Sequence, residues 1–277
     1  MTGVQTCALP ILAAGCSMAD MATHSQVESA WDLFNSLGMA KRTVPITYMN
    51  SSAAIKAFTG RNGGTVCTSS NAKRALEWAF EKGDKVFFLP DQHLGRNTAV
   101  RELGLRLEDC VIFDPWKPNG GLTDSQLLNS KMILWRGHCS VHGRFTLENV
   151  NKVRKEVPGV KVLVHPECTY DVVSAADEVG STEKIIQIIK SAPSGSSWAV
   201  GTELNLVKRL AANFEDKNIV FLEKNVCYCS TMNRIDLPHL VFTLETLAAG
   251  RLINQIQVTE KTKAEALLAL NQMLELA

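Results

Sequence analysis

Long hydrophobic runs are absent from this 277-residue sequence. No stretch approaches the roughly 20 apolar residues that a membrane-spanning helix needs. Concentrated charge is missing too, because 29 basic residues stand against 28 acidic ones and no basic block occurs. We therefore expect neither a nucleic acid nor an anionic membrane surface as a partner. The sequence also lacks Walker, GxGxxG, GxSxG and HExxH patterns, so no short motif indicates a nucleotide-binding, hydrolase or zinc-protease site.

The N-terminal region contains no lysine or arginine before Lys41. A lipoprotein signal needs a basic segment at its start, so LAAGC at residues 12–16 does not indicate lipidation. The stretch VQTCALPI at residues 4–11 resembles a translated sequencing adapter. We therefore expect residues 1–11 to be non-native, Cys7 to have no role, and the true sequence to continue from near Leu12 without its own beginning.

Eight unevenly spaced cysteines in a chain of this length do not resemble a small secreted disulfide scaffold. Cys16, Cys139 and Cys229 each follow an apolar strand candidate or the remnant of one. Three thiolates brought together by repeated domains would suit an iron–sulfur cluster. The alternative is that free cysteines are small buried hydrophobic residues, which we prefer for Cys67 and Cys110. The spacing of the cysteines at 227 and 229 is too tight for a zinc knuckle.

The composition allows two or three domains with hydrophobic cores, since 45% of the residues are hydrophobic. Short apolar runs alternate with helical patterns, which is typical of α/β domains with parallel sheets. The strand candidates form two copies of one layout, residues 44–47, 66–67, 85–89 and 131–135 in the first, and residues 162–164, 197–200 and 218–222 in the second. Each copy has the size of a small domain.

The second copy begins with the stretch around which the chain is organised, residues 162–182. Residues 162–164 predict a buried parallel strand, which Pro166 ends. Apolar residues spaced over 172–179 predict one face of a helix, with Gly180 after its last turn. Residues 27–37 also carry a helical apolar pattern.

Polar groups follow the first strand candidate of each copy. Ligands in open α/β sheets bind beyond the carboxyl ends of strands, where His165 and Glu167 could act as acid and base. Tyr48 could donate a hydrogen bond to a developing anion. The alternative is that these are ordinary turn residues. Ser69 and Thr182 are expected to cap helices, and such helix ends also bind anions. His93 and Arg96 lie in another polar loop and could contact an anion or cap helices.

Eight motifs together resemble the quinolinate synthase family, in its Bacillus-type branch. They are AGCSMADM (14–21), YMNSSA (48–53), TSS (68–70), LPDQHLGRN (89–97), WRGHCSVH (135–142), HPE (165–167), VGST (179–182) and CSTMNRIDLPHL (229–240). The resemblance runs from about Leu12 to the end of the chain, with the motifs in the family's order.

The resemblance implies repeated three-layer αβα domains with parallel sheets about a pseudo-threefold axis, the first domain being incomplete. Residues 12–43 would be the remnant of the first domain, residues 44–158 the second and residues 159–236 the third. Residues 237–277 would be C-terminal helices that pack back on the first domain. A [4Fe-4S] cluster would be held by one cysteine per domain, which are Cys16, Cys139 and Cys229 here.

The implied activity is a transferase reaction in NAD biosynthesis, in the cytoplasm, that condenses iminoaspartate with dihydroxyacetone phosphate to quinolinate. L-aspartate oxidase would supply the iminoaspartate. One open iron would act as a Lewis acid, and Glu167, His165 and Tyr48 would transfer protons. The positions that match the family's substrate-binding residues are Tyr48, Met49, Asn50, Ser69, His165, Pro166, Glu167 and Thr182.

The sequence departs from the family at its front. Family members carry a further stretch with a His-Tyr-Tyr-Gln motif, which is not in this sequence. We therefore expect the chain as it stands to lack quinolinate synthase activity, and the apolar face at residues 27–37 to have lost its partner. The alternative function is a catalytically inactive, truncated metal-binding remnant of the family.

Overall fold

A computed structural model of the chain describes residues 14–223 and 228–276. The adapter-like segment at 1–11 and the cysteines at 7 and 227 lie outside these residues. The strands are β1 (Thr43–Tyr48), β2 (Thr65–Cys67), β3 (Lys85–Leu89), β4 (Cys110–Phe113), β5 (Met132–Trp135), β6 (Lys161–Val164), β7 (Glu178–Val179), β8 (Ser197–Gly201) and β9 (Asn218–Phe221). The helices are α1 (His24–Ser36), α2 (Ala53–Arg61), α3 (Ala72–Lys82), α4 (Gln92–Leu103), α5 (Asp124–Asn129), α6 (Leu147–Glu156), α7 (Tyr170–Ala175), α8 (Thr182–Ser191), α9 (Leu204–Asn213), α10 (Leu237–Ala248) and α11 (Glu260–Glu275).

The strands form two parallel sheets with the same opening topology. The order is β2-β1-β3-β5-β4 in the five-stranded sheet and β7-β6-β8-β9 in the four-stranded sheet. In both, the first strand lies between the second and the third, so the chain runs first to one side of it and then crosses to the other. The predicted α/β class with parallel sheets is confirmed. Such a switch point opens a crevice at the carboxyl end of the first strand, which here means the ends of β1 and β6.

Both sheets are covered by helices on two faces, as parallel sheets require. In β3, Val86 and Phe88 face a core built with α3 and α4, whereas Phe87 and Leu89 face the core on the other side. The four-stranded sheet packs against α6 and α7 on one face and against α8 and α9 on the other. The contiguous apolar runs in the sequence arise from this two-sided burial.

Helix α1 corrects the expectation that its apolar face has no partner. Val27, Ala30 and Phe34 are buried on the five-stranded sheet. The Phe34 ring lies 5.0 Å from the ring of Phe87, edge to face, which is a favourable aromatic geometry. Residues 24–36 thus pack on this sheet, and the assignment of residues 12–43 to a preceding domain stays a prediction.

Two short edge strands were missed in the sequence. The predicted helix over 172–179 was wrong in its second half, because α7 ends at Ala175 and Val179 pairs with Val164 in strand β7. Gly180 therefore does not end a helix; its amide donates to the carbonyl of Val164 (3.1 Å). Strand β4 pairs with β5 alone and is only partly buried, although its four residues form a contiguous apolar run that the sequence analysis did not use.

The final helix packs closely on α2 and β2. Ala266, Ala269 and Leu270 of α11 form a small core with Ala57 and Val66. The preceding helix α10 instead exposes several large apolar side chains, among them Leu237, Phe242 and Leu244. Helix α11 thus contacts the five-stranded sheet and its helices, and the predicted packing of residues 237–277 on the first domain stays a prediction.

We expect Gly60→Ala to destabilise the protein by at least about 2 kcal/mol, as overpacking of tight contacts does. A Cβ atom at Gly60 would lie 2.0 Å from the Glu265 carbonyl oxygen of α11, so the two helices would have to separate. Thermal or urea unfolding measures the change. Gly143→Ala is the control, because its Cβ would meet only His138 at 3.4 Å; equal stability losses in the two variants would contradict the expectation.

Candidate functional site

A cavity of about 500 Å³ opens at the carboxyl ends of β1 and β6. Its polar and thiol-bearing lining residues come from both sheets and from the segments before and after them. They are Cys16, Tyr48, Asn50, Cys139, His142, His165, Glu167, Thr182, Thr202, Glu203, Asn205, Arg209, Cys229 and Thr231. The switch points of the two sheets therefore meet at one site.

The three cysteines proposed as cluster ligands all line this cavity. Cys16, Cys139 and Cys229 are free thiols with at least partial exposure. Burial raises the pKa of the Cys16 thiol, and the neighbouring Cys139 raises it further. Soft thiolate donors from three separate segments on one cavity wall are a set that suits an iron–sulfur cluster. The donor chemistry therefore fits the group that the family resemblance implies.

The remaining cysteines contrast with these three. Cys67 and Cys168 are fully buried, and burial holds the pKa of each thiol well above its usual value. Cys110 is partly buried, which raises its pKa to about 11. None of these three residues lines the cavity that holds Cys16, Cys139 and Cys229. The preference for a packing role at Cys67 and Cys110 agrees with these surroundings.

Glu167 and His142 form a buried ion pair beside the thiols. His142 Nδ1 lies 3.0 Å from a carboxylate oxygen of Glu167, and its Nε2 lies 3.3 Å from the hydroxyl of Thr202. Burial opposes charge on His142, but the carboxylate of Glu167 and the nearby Cys139 raise its pKa to about 10. Burial would also raise the pKa of Glu167, yet His165 and His142 bring it below its usual value. At neutral pH the site holds an imidazolium and a carboxylate.

Cys139, His142 and Glu167 also place one potential metal-binding atom each within 4.8 Å of one another, in the part of the chain described. Both ring nitrogens of His142 are already hydrogen-bonded, to Glu167 and to Thr202. A doubly protonated imidazole has no lone pair for a metal. The three thiols are therefore the better ligand set.

His165 lies parallel to His142, with ring centroids 4.4 Å apart. The backbone amide of Glu167 donates to His165 Nδ1 at 3.3 Å, so this nitrogen is unprotonated. Burial, together with the positive charge on His142, lowers the pKa of His165 to about 3. His165 is a neutral imidazole at neutral pH, with its proton on Nε2.

Tyr48 lies near Glu167 and Ser69, and both side chains influence the pKa of its hydroxyl group. Burial, with the negative charge of Glu167, raises the pKa of Tyr48 far above its usual value. Tyr48 is therefore a neutral hydrogen-bond donor throughout the physiological pH range.

The structure brings most of the predicted site residues together. Tyr48, Asn50, His165, Glu167 and Thr182 line the cavity with the three cysteines. Three others do not line it. Ser69 reaches the site only through Tyr48, Met49 packs against the neighbouring cores, and Pro166 contributes its carbonyl group to a contact with α4.

The expected helix caps are corrected. Ser181, not Thr182, is the N-cap of α8, and its hydroxyl accepts from the Lys184 amide at 3.3 Å. The N-cap position of α3 is Asn71, two residues beyond Ser69. Thr182 begins α8 and its place on the cavity wall is therefore separate from capping.

Sequence reasoning missed His142, Thr202 and Asp91. His142 stands three residues after Cys139 in the motif at 135–142, and this closeness to a ligand candidate was the available signal. Thr202 follows β8 and carried no such signal. Asp91 caps α4 and is fully buried; burial, with the charge of Glu167, raises its pKa to about 8.

We expect the His142–Glu167 pair to stabilise the protein within a pH window. The pKa of His142 is raised from 6.5 to about 10, so its contribution is complete below pH 6.5 and is lost as the pH rises through 10. The pKa of Glu167 is lowered from 4.5, so its contribution is complete above pH 4.5 and is lost in stronger acid. His142→Gln should therefore lower the stability of the metal-free protein most between pH 4.5 and 6.5, by about 3 kcal/mol.

Thermal unfolding from pH 4 to pH 10 measures this difference. His239→Gln is the control, since His239 also lies beside a carboxylate, that of Asp236 at 2.6 Å, but on the exposed surface. This variant should change the melting temperature little at any pH. A His142→Gln effect that is constant across the pH range would contradict the ion-pair assignment.

The fold and the cavity define an α/β protein with thiols and a buried acid–base cluster at the carboxyl ends of its strands. The sequence profile of the quinolinate synthetase A protein (NadA) family matches residues 1–275, and the chain belongs to this family. The family resemblance based on the motifs is thereby confirmed.

Curated relatives are similar over almost the whole chain. A quinolinate synthase of Streptomyces coelicolor is 67% identical over 274 residues, which cover 98% of this chain and 70% of that protein. A quinolinate synthase of Nocardioides sp. is 65% identical over 274 residues, which cover 97% of this chain and 70% of that protein. A quinolinate synthase of Bacillus cereus is 52% identical over 274 residues, which cover 99% of this chain and 74% of that protein. The chain spans about 70% of the length of the first two of these relatives.

Across residues 14–223 and 228–276, no helix combines the length and the apolar character needed to cross a bilayer. The cytoplasmic location implied by the resemblance stays a prediction.

Proposed function

We propose that this chain is a quinolinate synthase that condenses iminoaspartate with dihydroxyacetone phosphate to quinolinate, with release of phosphate and water. The observation that carries the proposal is that Cys16, Cys139 and Cys229 line the same cavity as Glu167, His165 and Tyr48. Ligands for a cluster and groups for proton transfer are thus available to one small substrate.

Cys16, Cys139 and Cys229 would hold a [4Fe-4S] cluster. When bound, the cluster would supply Lewis-acid chemistry through the one iron that has no protein ligand. His142 lies beside this ligand set, with a ring nitrogen within 4.8 Å of the Cys139 sulfur.

Glu167 is the group best suited to remove protons. Its pKa is held below the usual value, so it is ionised at neutral pH and can accept a proton, and it lines the cavity. Condensation next to a carbonyl or imine carbon requires loss of a proton from carbon. His142 holds the carboxylate at 3.0 Å and so determines its direction.

His165 and Tyr48 are the groups suited to donate. The neutral imidazole of His165 presents a proton on Nε2, and the neutral phenol of Tyr48 donates to negative charge. Release of water needs a proton on each leaving hydroxyl group, which these donors would provide. Asn50 and Thr182 would bind polar groups of the substrates through their amide and hydroxyl groups.

L-aspartate oxidase would supply the iminoaspartate, since oxidation of the amine of aspartate gives this imine, and both steps would belong to NAD biosynthesis in the cytoplasm. No observation on the described residues favours the alternative of an inactive metal-binding remnant, because thiols and acid–base groups surround one cavity.

The test is anaerobic quinolinate formation from the two substrates by the chain after iron and sulfide reconstitution. The quinolinate synthase of Streptomyces coelicolor is the positive control. Quinolinate production that depends on the cluster supports the proposal and would contradict the expectation, drawn from the absent His-Tyr-Tyr-Gln motif, that the chain lacks activity. A chain that carries a full cluster yet forms no quinolinate, while the control enzyme is active, would favour the inactive remnant.

A further inference from the structure

A side chain from the other sheet's domain, Asn97, holds the backbone of the loop that carries Glu167. Asn97 lies on α4, which covers the five-stranded sheet, whereas Glu167 follows β6 of the four-stranded sheet. The Nδ2 group of Asn97 donates to the carbonyl oxygens of Pro166 (2.7 Å) and Cys168 (2.8 Å). These are the residues on either side of Glu167, so one amide group fixes both flanking carbonyls.

The orientation of the Asn97 amide is unambiguous. The side chain is buried, and its Oδ1 atom has no hydrogen-bond partner among the described residues. Turning the amide over would direct this oxygen at the two carbonyl oxygens and would leave them unpaired as well. The observed orientation leaves Oδ1 without a partner but pairs both carbonyl oxygens. A buried polar atom without a partner costs free energy, so its presence here indicates that the two donated hydrogen bonds fix this orientation.

The same arrangement recurs at the other strand end. The buried Lys56 on α2 donates through Nζ to the carbonyl oxygens of Met49 (2.9 Å) and Ser51 (2.5 Å). These residues flank Asn50, which lines the cavity. In both sheets, a cavity residue beyond the first strand therefore lies between two carbonyls that one buried donor holds.

We propose that Asn97 is a positioning residue for Glu167 in the proposed quinolinate synthase reaction. Rotation of the two flanking peptide groups is the motion that would swing the Glu167 side chain away from His142. Asn97 prevents it by holding both carbonyls, while the amide of Glu167 is held by His165 Nδ1 at 3.3 Å. Asn97 does not line the cavity and acts only through the loop. The inference rests on the proposed function.

The test is Asn97→Leu in the reconstituted chain. Leucine has a similar size, removes both donors and also removes the unsatisfied oxygen. We expect kcat to fall about 100-fold, because a displacement of about 1 Å of a reacting group has effects of this size. KM for both substrates should stay within about threefold, since the substrate-binding groups remain. Cluster absorbance should be unchanged.

Asn62→Leu is the matched control. The Nδ2 group of Asn62 also donates to a carbonyl oxygen, that of Phe58 at 2.8 Å, at the end of α2 and away from the cavity. This variant should lose a similar kind of hydrogen bond but keep kcat within about twofold of the parent. Equal kcat values in the two variants would overturn the proposal.

Hydrogen–deuterium exchange separates this proposal from the proposed function. Peptides that cover residues 165–168 should exchange faster in Asn97→Leu and not in Asn62→Leu, whether or not the parent chain forms quinolinate. Unchanged exchange would overturn the positioning role even in an inactive protein. If Asn97→Leu does not fold, Asn97→Asp is used in its place, because aspartate keeps the shape and loses the amide donors. Its exchange at residues 165–168 is then compared with that of Asn62→Leu. Failure of both to fold would make Asn97 a structural residue and overturn the proposal.

Discussion

Cys139→Ser should abolish the iron–sulfur cluster of the reconstituted chain, together with all quinolinate formation. Cys139 lines the cavity with Cys16 and Cys229 and is the ligand candidate that the imidazolium of His142 contacts. A serine hydroxyl is a harder and far less acidic ligand than a thiol, so it cannot replace thiolate on iron. Anaerobic reconstitution followed by visible absorbance and iron and sulfide analysis measures the loss. Cys16→Ser and Cys229→Ser should behave alike.

Two other cysteines provide matched controls. Cys110→Ser changes a half-buried thiol on an edge strand, and Cys67→Ala avoids leaving a hydroxyl group without a partner in a fully buried position. Both variants should retain about four irons per chain. A full cluster in Cys139→Ser, or its loss in Cys110→Ser without unfolding, would show that the ligand assignment is wrong.

Glu167→Gln should lower kcat by about 10²- to 10⁴-fold, which is the usual contribution of a general base. Glutamine has the same shape but cannot accept a proton. The cluster should remain, because Glu167 is not among the proposed ligands. Steady-state kinetics of quinolinate formation, with absorbance to confirm the cluster, measures the effect. KM should change much less than kcat, since the change affects a group that acts in the transition state.

Glu203→Gln is the matched control for this variant. Glu203 also lines the cavity, but its carboxylate caps α9 by accepting from the amides of Asn205 (2.8 Å) and Leu206 (3.2 Å). An amide oxygen can accept the same bonds, so kcat should stay within about threefold of the parent. If Glu203→Gln lost activity as strongly as Glu167→Gln, the base would have been placed on the wrong carboxylate.

Strands with long contiguous apolar patterns could be predicted from the sequence. The run at Lys85–Leu89 was predicted with its observed bounds because both faces of β3 are buried, and each residue of the run then carries the signal. The two-residue strand β7 had no such signal. Its residues were assigned to a helix because their apolar spacing also fits a helical period, and only the pairing with β6 distinguishes the two.

The packing partner of α1 also could not be predicted from the sequence. The sequence indicates its apolar face, and the structure buries that face on Phe58 and Phe87. An amphipathic helix carries no information on which surface covers it, because burial of apolar area is not directional. The expectation that this face lacks a partner failed for this reason.

Some features of the candidate site could likewise be predicted from the sequence, and others depend on the tertiary structure. The sequence by itself determined the kinds of groups, which are three thiols, Tyr48, His165 and Glu167. It also placed Tyr48, His165 and Glu167 at strand ends, and the carboxyl ends of parallel strands lie on one edge of a sheet. Only the tertiary structure decided that the ends of β1 and β6 face one cavity, and that His142, Thr202 and Asn97 hold Glu167 and its loop. These contacts join residues from 25 to 71 positions apart. Such pairs arise from the docking of two sheets, which depends on the shapes of whole surfaces and leaves no periodic pattern in the chain.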